Sequence, residues 1–324
     1  MAEVATLRWG VIGCGAVCEV KSVPAYQQQQ AFSVVGASRR DHQAAADFAR
    51  RHQIATVFES AQELIAHPSI DAVYVATPPD SHLALALLVA AAGKPCCVEK
   101  PMAMNFAQCK DMLEAFERAN VPLFVAYYRR SLPRFLQAKS WLDSGRIGKV
   151  RSVHWQLTRP PNCRDLLAQS NWRTDPKIAG GGYFVDLASH GLDLLQFLLG
   201  DIAEVSGITS NVQGLYAAED MVCASWKFAS GAIGTGVWNF AARNYVDAVE
   251  IIGSEGTLSF SVFEDRAVEL ASDVGFESVE IENPHHLQSH HVDNIAAHLA
   301  GAIRHPALGI EAAKTNRVMD LILS

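Results

Sequence analysis

The sequence predicts an α/β chain of two domains: an N-terminal doubly wound parallel sheet, then an α+β domain built on a large, mostly antiparallel sheet. Three observations carry this. As far as residue 126, apolar runs of strand length alternate with helix-period segments. Beyond it, strand-like segments with partial alternation follow one another, separated by turn signals. Two glycines end the first apolar run just where a helical pattern opens. The expected domains are therefore 1–126 and 127–324.

In the first domain the strand-like runs are LRWGVIG, FSVVGAS, DAVYVAT, PCCVE and VPLFVAY, with helical patterns at 16–29, 41–52, 60–66, 81–92 and 105–120. Runs this continuously apolar suit parallel strands covered on both faces. The second domain opens with a helical segment at 131–143 and the strand-like KVRSVHWQLT. A loop rich in Pro and Asn and an apolar helix after Gly180–Gly182 come next. Then come IAEVSGITSNVQG, DMVCASWKFASG, AIGTGVWNF, DAVEIIGSEGTLSFSV and AVELAS, and helical patterns at 289–303 and 310–323 close the chain.

At 324 residues, 49% hydrophobic and 19% charged, the chain has ample core for such a fold. A net charge of -7 without a basic run argues against a nucleic-acid partner. The start, MAEVATLRWGVIGCG, shows no basic region followed by an apolar one, and no apolar run reaches membrane-spanning length. A cytoplasmic protein without a membrane partner is expected. Seven cysteines with no C-x-x-C pair read as reduced, buried thiols.

The stretch GCGAVC at 13–18 has the pattern of a dinucleotide-binding turn. Gly13 permits the tight turn and Gly15 lets the backbone approach a pyrophosphate. Ala16 and Val17 open a helix whose free N–H groups face the anion. Cys18 stands where the Rossmann fingerprint has Gly or Ala. After the second strand, where NAD-binding domains usually place an acid for the ribose hydroxyls, stand Ser38, Arg39, Arg40 and Asp41. A hydroxyl and two guanidiniums suit a 2'-phosphate, which favours NADP(H) over NAD(H). A solvated helix start with Asp41 as its cap is the plainer alternative. Thr77, Pro78 and His82 in ATPPDSH, and Glu99 and Lys100 in VEKP, follow later strands at the edge where ligands of such sheets bind.

In GGGYFVDLASHGLDLLQFLLG the helix after the glycines has no Lys, Arg or Glu, yet it carries Asp186, His190 and Asp193 at i, i+4 and i+7. One stripe of a buried helix then holds three polar groups, which require either a hydrogen-bond network or a wet cleft.

The ordered set of G-x-G, E-K-P and G-G-G-x-x-x-D-x-x-x-H-x-x-D resembles the Gfo/Idh/MocA oxidoreductase family, which includes glucose-fructose oxidoreductase, inositol dehydrogenase and 1,5-anhydrofructose reductase. WRTDP, EIIGSEGTL and AAKTNRVMDLIL extend the resemblance over nearly the whole chain. It implies that Lys100, Asp186 and His190 form the catalytic group and that the polar stripe faces the cleft between the domains. Some branches carry Tyr at the histidine position, so His190 aligns this chain with the inositol dehydrogenase and anhydrofructose reductase branches. Association through the antiparallel sheet, as homodimer or homotetramer, is also implied.

Hydride transfer to a carbonyl leaves an alkoxide that needs a proton and a nearby positive charge. His190 and Lys100 can supply them, with Asp186 orienting His190 or holding a substrate hydroxyl. Tyr127, Tyr128 and Arg129 after the last strand, with Trp172 and Arg173 before the glycines, are further candidates to line a substrate site. His285, His286, His290 and His291 lack nearby cysteines, and the chemistry requires no metal. The expected function is an NADP(H)-dependent oxidoreductase acting on a sugar, polyol or related carbonyl. The alternatives are a non-catalytic dinucleotide-binding sensor and a dehydrogenase of a non-sugar diol.

Overall fold

A computed structural model describes residues 6–324. It divides into two compact units: the chain to Ser131 together with Pro284–Ala313, and Leu132–Asn283 together with Lys314–Ser324.

In the first unit β1 (Leu7–Ile12), β2 (Phe32–Ser38), β3 (Thr56–Val57), β4 (Ala72–Val75), β5 (Cys96–Val98) and β6 (Leu123–Val125) form one parallel sheet in the order β3-β2-β1-β4-β5-β6. This is the doubly wound arrangement. Successive residues of a strand enter opposite cores: Val73, Val75, Cys96 and Val98 on one side, Ala72, Tyr74 and Cys97 on the other. Both faces are apolar, which is why these strands read as unbroken hydrophobic runs. The helix Ser289–Leu299 supplies Val292 and Ile295 to the second core, so a segment distant in sequence completes this unit.

Register lines up the strand ends. Ile12 pairs with Ser38 on one side and Val75 on the other, and Val75 pairs with Val98. The chain therefore leaves four adjacent strands at one edge, at Gly13, Arg39, Ala76 and Glu99. Strand order reverses at β1, and ligands of such sheets bind outside the carboxyl ends at that reversal.

In the second unit β7 (Ser152–Thr158), β8 (Ile202–Ser210), β9 (Met221–Phe228), β10 (Ile233–Asn239), β11 (Val246–Ile252), β12 (Gly256–Phe260), β13 (Val268–Ser272) and β14 (Gly275–Val279) form a sheet in the order β14-β13-β12-β11-β7-β10-β9-β8. Only β7 and β10 pair in parallel. Trp155 and Trp238, ring to ring at 5.3 Å, with Phe184 against Trp238, make an aromatic floor. The helix Ser189–Leu199 lies on it through Gly191, where any Cβ would collide with the Trp155 ring.

Several local expectations change. The segment 16–29 is two helices, Ala16–Val20 and Val23–Gln28, because Pro24 opens a new first turn while the Ser22 hydroxyl donates to the Val17 carbonyl at 3.3 Å. β3 has two residues, too few to show a period. β14 is almost wholly exposed and shows no alternating pattern. The helix after the glycines begins as a π-helical turn, Phe184–Ala188, before the α-helix. Five cysteines are buried as expected, but Cys163 is exposed and Cys223 half-buried; all seven are free. Among the described residues no helix is long and apolar enough to cross a membrane.

Candidate active site

At the carboxyl edge of the first unit, Gly13 has φ +115°, and a Cβ there would stand 2.5 Å from the Ala76 carbonyl oxygen. Its N–H donates to the Ser38 carbonyl at 2.9 Å. Cys14 turns inward, and burial pushes its thiol up to about 12, so it stays neutral. The space a Cβ on Gly15 would occupy has no atom within 4 Å. The loop is thus closed on its protein side and open on the other, as a backbone cradle for a pyrophosphate requires. Ala16 is exposed and Val17 half-buried at the start of the following helix, while Cys18 packs into the core.

Ser38 is buried, whereas Arg39 and Arg40 are exposed, and neither forms an ion pair among the described residues. Arg39 Nη1 donates to the Cys14 carbonyl at 3.3 Å, which places its guanidinium beside the glycine loop. Asp41 accepts from the Ala44 N–H at 3.0 Å and caps the next helix, His42–Arg51. The cap reading of this segment holds for Asp41.

Thr77 Oγ1 accepts from the Ser81 hydroxyl at 2.8 Å, and Pro78 leads the turn. His82 is fully buried, with Nε2 2.8 Å from the Thr77 carbonyl and Nδ1 3.0 Å from the Pro101 carbonyl. Burial holds its pKa below the usual value against the pull of those carbonyls. His82 is therefore placed as a brace between the Thr77 turn and the turn after Lys100.

Glu99 has three donors: the Tyr74 hydroxyl at 2.6 Å, Gln288 Nε2 at 2.8 Å and the Lys100 N–H at 3.2 Å. Burial, then the Glu99 charge, pushes the Tyr74 hydroxyl well above its usual pKa, so it remains a donor. Lys100 is half-buried and precedes a cis peptide to Pro101. Tyr127, Tyr128 and Arg129 are all buried, and the Arg129 guanidinium lies 5.0 Å over the Tyr128 ring. Burial raises the Tyr128 hydroxyl, but Arg129, Lys21 and Lys100 outweigh it and bring its pKa below the usual value. This corner of the unit is cationic.

In the second unit Arg173 Nε lies 3.2 Å from Asp186 Oδ2 and its guanidinium stacks 4.4 Å over Trp172. Trp172, Arg173 and Asp186, separate candidates in the sequence, form one group. His190 is 6% exposed, its ring edge-on to Phe263 at 5.9 Å. Asp193 is fully buried and accepts from Thr315 Oγ1 at 3.3 Å, which in turn accepts from Gln196 Nε2 at 3.2 Å. The stripe divides accordingly: Asp193 ties the helix to the closing helix, Gly309–Leu323, while Asp186 keeps 17% of its side chain exposed.

Two residues the sequence did not single out shape this helix. Glu219 accepts from the Gly182 N–H at 2.8 Å, where the chain enters the π turn. Tyr183 donates to Asp165 Oδ2 at 2.5 Å and accepts from Asn171 Nδ2 at 2.7 Å. The Ser189 hydroxyl donates to the Asp186 carbonyl at 3.1 Å, engaging a carbonyl at the widened turn. The acid pair Glu219–Asp220 before β9 was the available signal for the first.

The histidine-rich stretch is dispersed. His286 Nδ1 is 2.6 Å from the Val20 carbonyl, His290 Nδ1 is 3.9 Å from Asp293, His285 packs on His286, and His291 is buried beside Cys97. Among the described residues no group of three or more His, Cys, Asp or Glu is arranged to hold a metal.

The family model for the GFO/IDH/MocA C-terminal domain matches residues 135–259, and the oxidoreductase-family model with an NAD-binding Rossmann fold matches residues 7–127. The chain belongs to the Gfo/Idh/MocA oxidoreductase family. Oxidoreductase P35 of Formosa agariphila is 37% identical over 317 residues, covering 97% of this chain and 98% of that protein. The 1,5-anhydro-D-fructose reductase of Ensifer adhaerens is 29% identical over 255 residues, 78% of this chain and 74% of its own. An oxidoreductase from Thermotoga maritima shares the fold with a TM-score of 0.88 at 22% identity, covering 98% of this chain and 96% of its own. A levoglucosan dehydrogenase crystallised with NADH and levoglucosan does so with 0.86 at 24%, over the same shares.

Burial raises the pKa of Glu219, with Asp220 adding to it and the Gly182 N–H opposing it. A raised carboxyl pKa means the folded state disfavours the anion, a penalty fully present above the folded pKa and absent below the unfolded one. Glu219→Gln, which keeps an acceptor for Gly182, should therefore have a higher urea midpoint than the native chain at pH 7. The difference should close as pH falls through the carboxylate range; an equal or lower midpoint at pH 7 would count against this reading.

Proposed function

We propose that the protein is an NADP(H)-dependent oxidoreductase that interconverts a sugar, polyol or related carbonyl compound and its reduced form. The observation that carries this is that one unit holds half-buried Lys100 at a ligand-binding strand edge, while the other holds Asp186 and the nearly buried His190 on an apolar helix. A sensor that only bound a dinucleotide would need neither a proton donor nor a carbonyl-polarising cation. The relatives named above as sugar reductase and sugar dehydrogenase support the substrate class.

The open cradle at Gly13 and Gly15, with the start of the helix at Ala16 and Val17, fits a pyrophosphate. Thr77, Pro78, Glu99 and Lys100 stand at the neighbouring strand ends. Similar folds have been solved with NADH and with NADP, so cofactor choice rests on this chain's own residues. Ser38, Arg39 and Arg40 stand where the fingerprint has the ribose-binding acid, and a hydroxyl with two guanidiniums suits a 2'-phosphate. A nicotinamide held at this edge would supply or accept the hydride. Lys100 polarises the reacting oxygen and stabilises its developing negative charge. His190 gives that oxygen a proton in reduction and removes one in oxidation. Asp186, held by Arg173, orients His190 or a substrate hydroxyl, and Trp172, Arg173, Tyr127 and Arg129 border the substrate.

The outward face of the eight-stranded sheet exposes Ile208 and Ile233, which suits self-association as a homodimer or dimer of dimers. Light scattering at micromolar concentration should give at least twice the monomer mass; a monomer would count against it. Arg39→Asp should lower the ratio of NADPH to NADH affinity about tenfold or more, the scale of one charge-assisted hydrogen bond. An unchanged ratio would remove the phosphate-clamp argument. Lys100→Ala should cut turnover by about 10²-fold or more while NADPH still binds; undiminished turnover would sink the assignment.

A further inference from the structure

Within the second unit a cavity of about 220 Å³ is bordered by Arg159, Tyr183, Leu187, Phe240 and Tyr245. Sheet register explains its walls. Thr158 at the end of β7 pairs with Asn239 at the end of β10 and with Val246 at the start of β11. Arg159, Phe240 and Tyr245 are the residues just beyond those three positions, so they emerge together at one edge of the sheet. The Arg159 backbone is fixed on both sides, its N–H donating to the Asn239 carbonyl at 2.8 Å and its carbonyl accepting from the Ala242 N–H at 3.2 Å. Tyr183 and Leu187 come from the segment that carries Asp186, and the Tyr183 ring lies 5.5 Å from Phe240.

The charge here is unlike that of other arginines in this unit. Arg173 is paired with Asp186, Arg266 with Glu264, and Arg134 with the Glu264 carbonyl and Asp265. Arg159 is exposed, has no carboxylate partner among the described residues, and lies 5.7 Å over the Tyr245 ring. Arg164, which follows the further wall residue Cys163, and Arg243, two residues before Tyr245, are likewise without ion pairs among the described residues. Carboxylates lie near the same walls, Asp165 accepting from the Tyr183 hydroxyl, and burial together with Asp247 and Glu264 holding the Tyr245 hydroxyl above its usual pKa, yet none of them pairs with Arg159. A guanidinium braced on an aromatic face presents a planar fork suited to a carboxylate, sulfate or phosphate.

We propose that this cavity is the subsite for an anionic substituent of the substrate, so that the sugar or polyol is an acid or an acidic ester. Arg159 holds the anion and the rings of Tyr245 and Phe240 pack against the apolar face of the carbon skeleton. This rests on the sugar or polyol reading above and narrows it. The cavity lies below the roughly 300–1,000 Å³ of pockets for drug-sized ligands, as a subsite for one substituted ring requires.

The test is isothermal titration calorimetry on the full chain, with and without NADPH. The anionic probes are D-glucuronate, D-galacturonate, glucose 6-sulfate and glucose 6-phosphate; D-glucose and D-galactose are the neutral references. At least one acid should bind about tenfold or more tightly than its neutral parent, the scale of one charge-assisted hydrogen bond. Arg159→Ala should bring that ratio to about one, and Arg159→Lys, which keeps the charge without the fork, should fall between. Whether the uronates or the esters are preferred identifies the kind of anion. A ratio near one in the native chain, no acid bound at millimolar concentration, or a ratio unchanged in Arg159→Ala would each overturn the proposal. Because the ratio is read from binding, a chain that keeps it but transfers no hydride counts against the oxidoreductase reading alone.

Discussion

Parallel pairing of β1 with β2 on one side and β4 on the other is the constraint on which the cofactor edge depends. A parallel ladder brings strand ends of like direction to one edge, so the residues leaving β2, β1, β4 and β5 become neighbours although they are spread from Gly13 to Lys100. Each exit is then secured by a different device. Gly13 is admitted by its positive φ, Asp41 caps the helix after the arginines, and His82 spans two carbonyls. Glu99 gathers Tyr74, Gln288 and the Lys100 N–H. Removing a partner from such a buried carboxylate or imidazole leaves a polar group without compensation, which makes these braces cooperative with the sheet.

The apolar helix of the second unit meets the opposite difficulty, since its polar groups must be kept where burial disfavours them. Asp193 is satisfied by Thr315 from the last helix and has become structural. Asp186 is satisfied from outside its own helix by Arg173, whose guanidinium rests on Trp172. The π turn at Phe184–Ala188 widens the backbone beside Asp186, and Glu219, Tyr183 and Ser189 hold that widened segment. π-Bulges recur at functional sites, and here one coincides with the acid that chemistry would select.

The fold was largely legible because its signals were periodic. Strands buried on both faces gave continuous apolar runs, half-covered strands gave alternation, and Gly13 and Gly15 marked the first crossover. The short and the exposed escaped: β3 has no room for a period, β14 buries nearly nothing, and the split at Ser22–Pro24 lay inside one apparent helix. In the candidate site, side chains acting on neighbours in sequence could be nominated from spacing, as with Asp186 and His190. Partners joined only by folding could not. Gln288 reaches Glu99 from a stretch whose histidines were more conspicuous, and Glu219 reaches Gly182 from the entrance to another strand. Arg159, Phe240 and Tyr245 form one wall only because three strand ends coincide.

Charge follows the same logic of place over composition. The chain is acidic overall, yet Lys21, Lys100 and Arg129 crowd the Tyr128 hydroxyl in one unit, while in the other Arg159 has no carboxylate partner among the described residues. Like charges brought together raise the local potential, and an anion bound there lowers it. The phosphates of a dinucleotide would meet such a potential at the first of these places, and the anionic group proposed above would meet a guanidinium at the second.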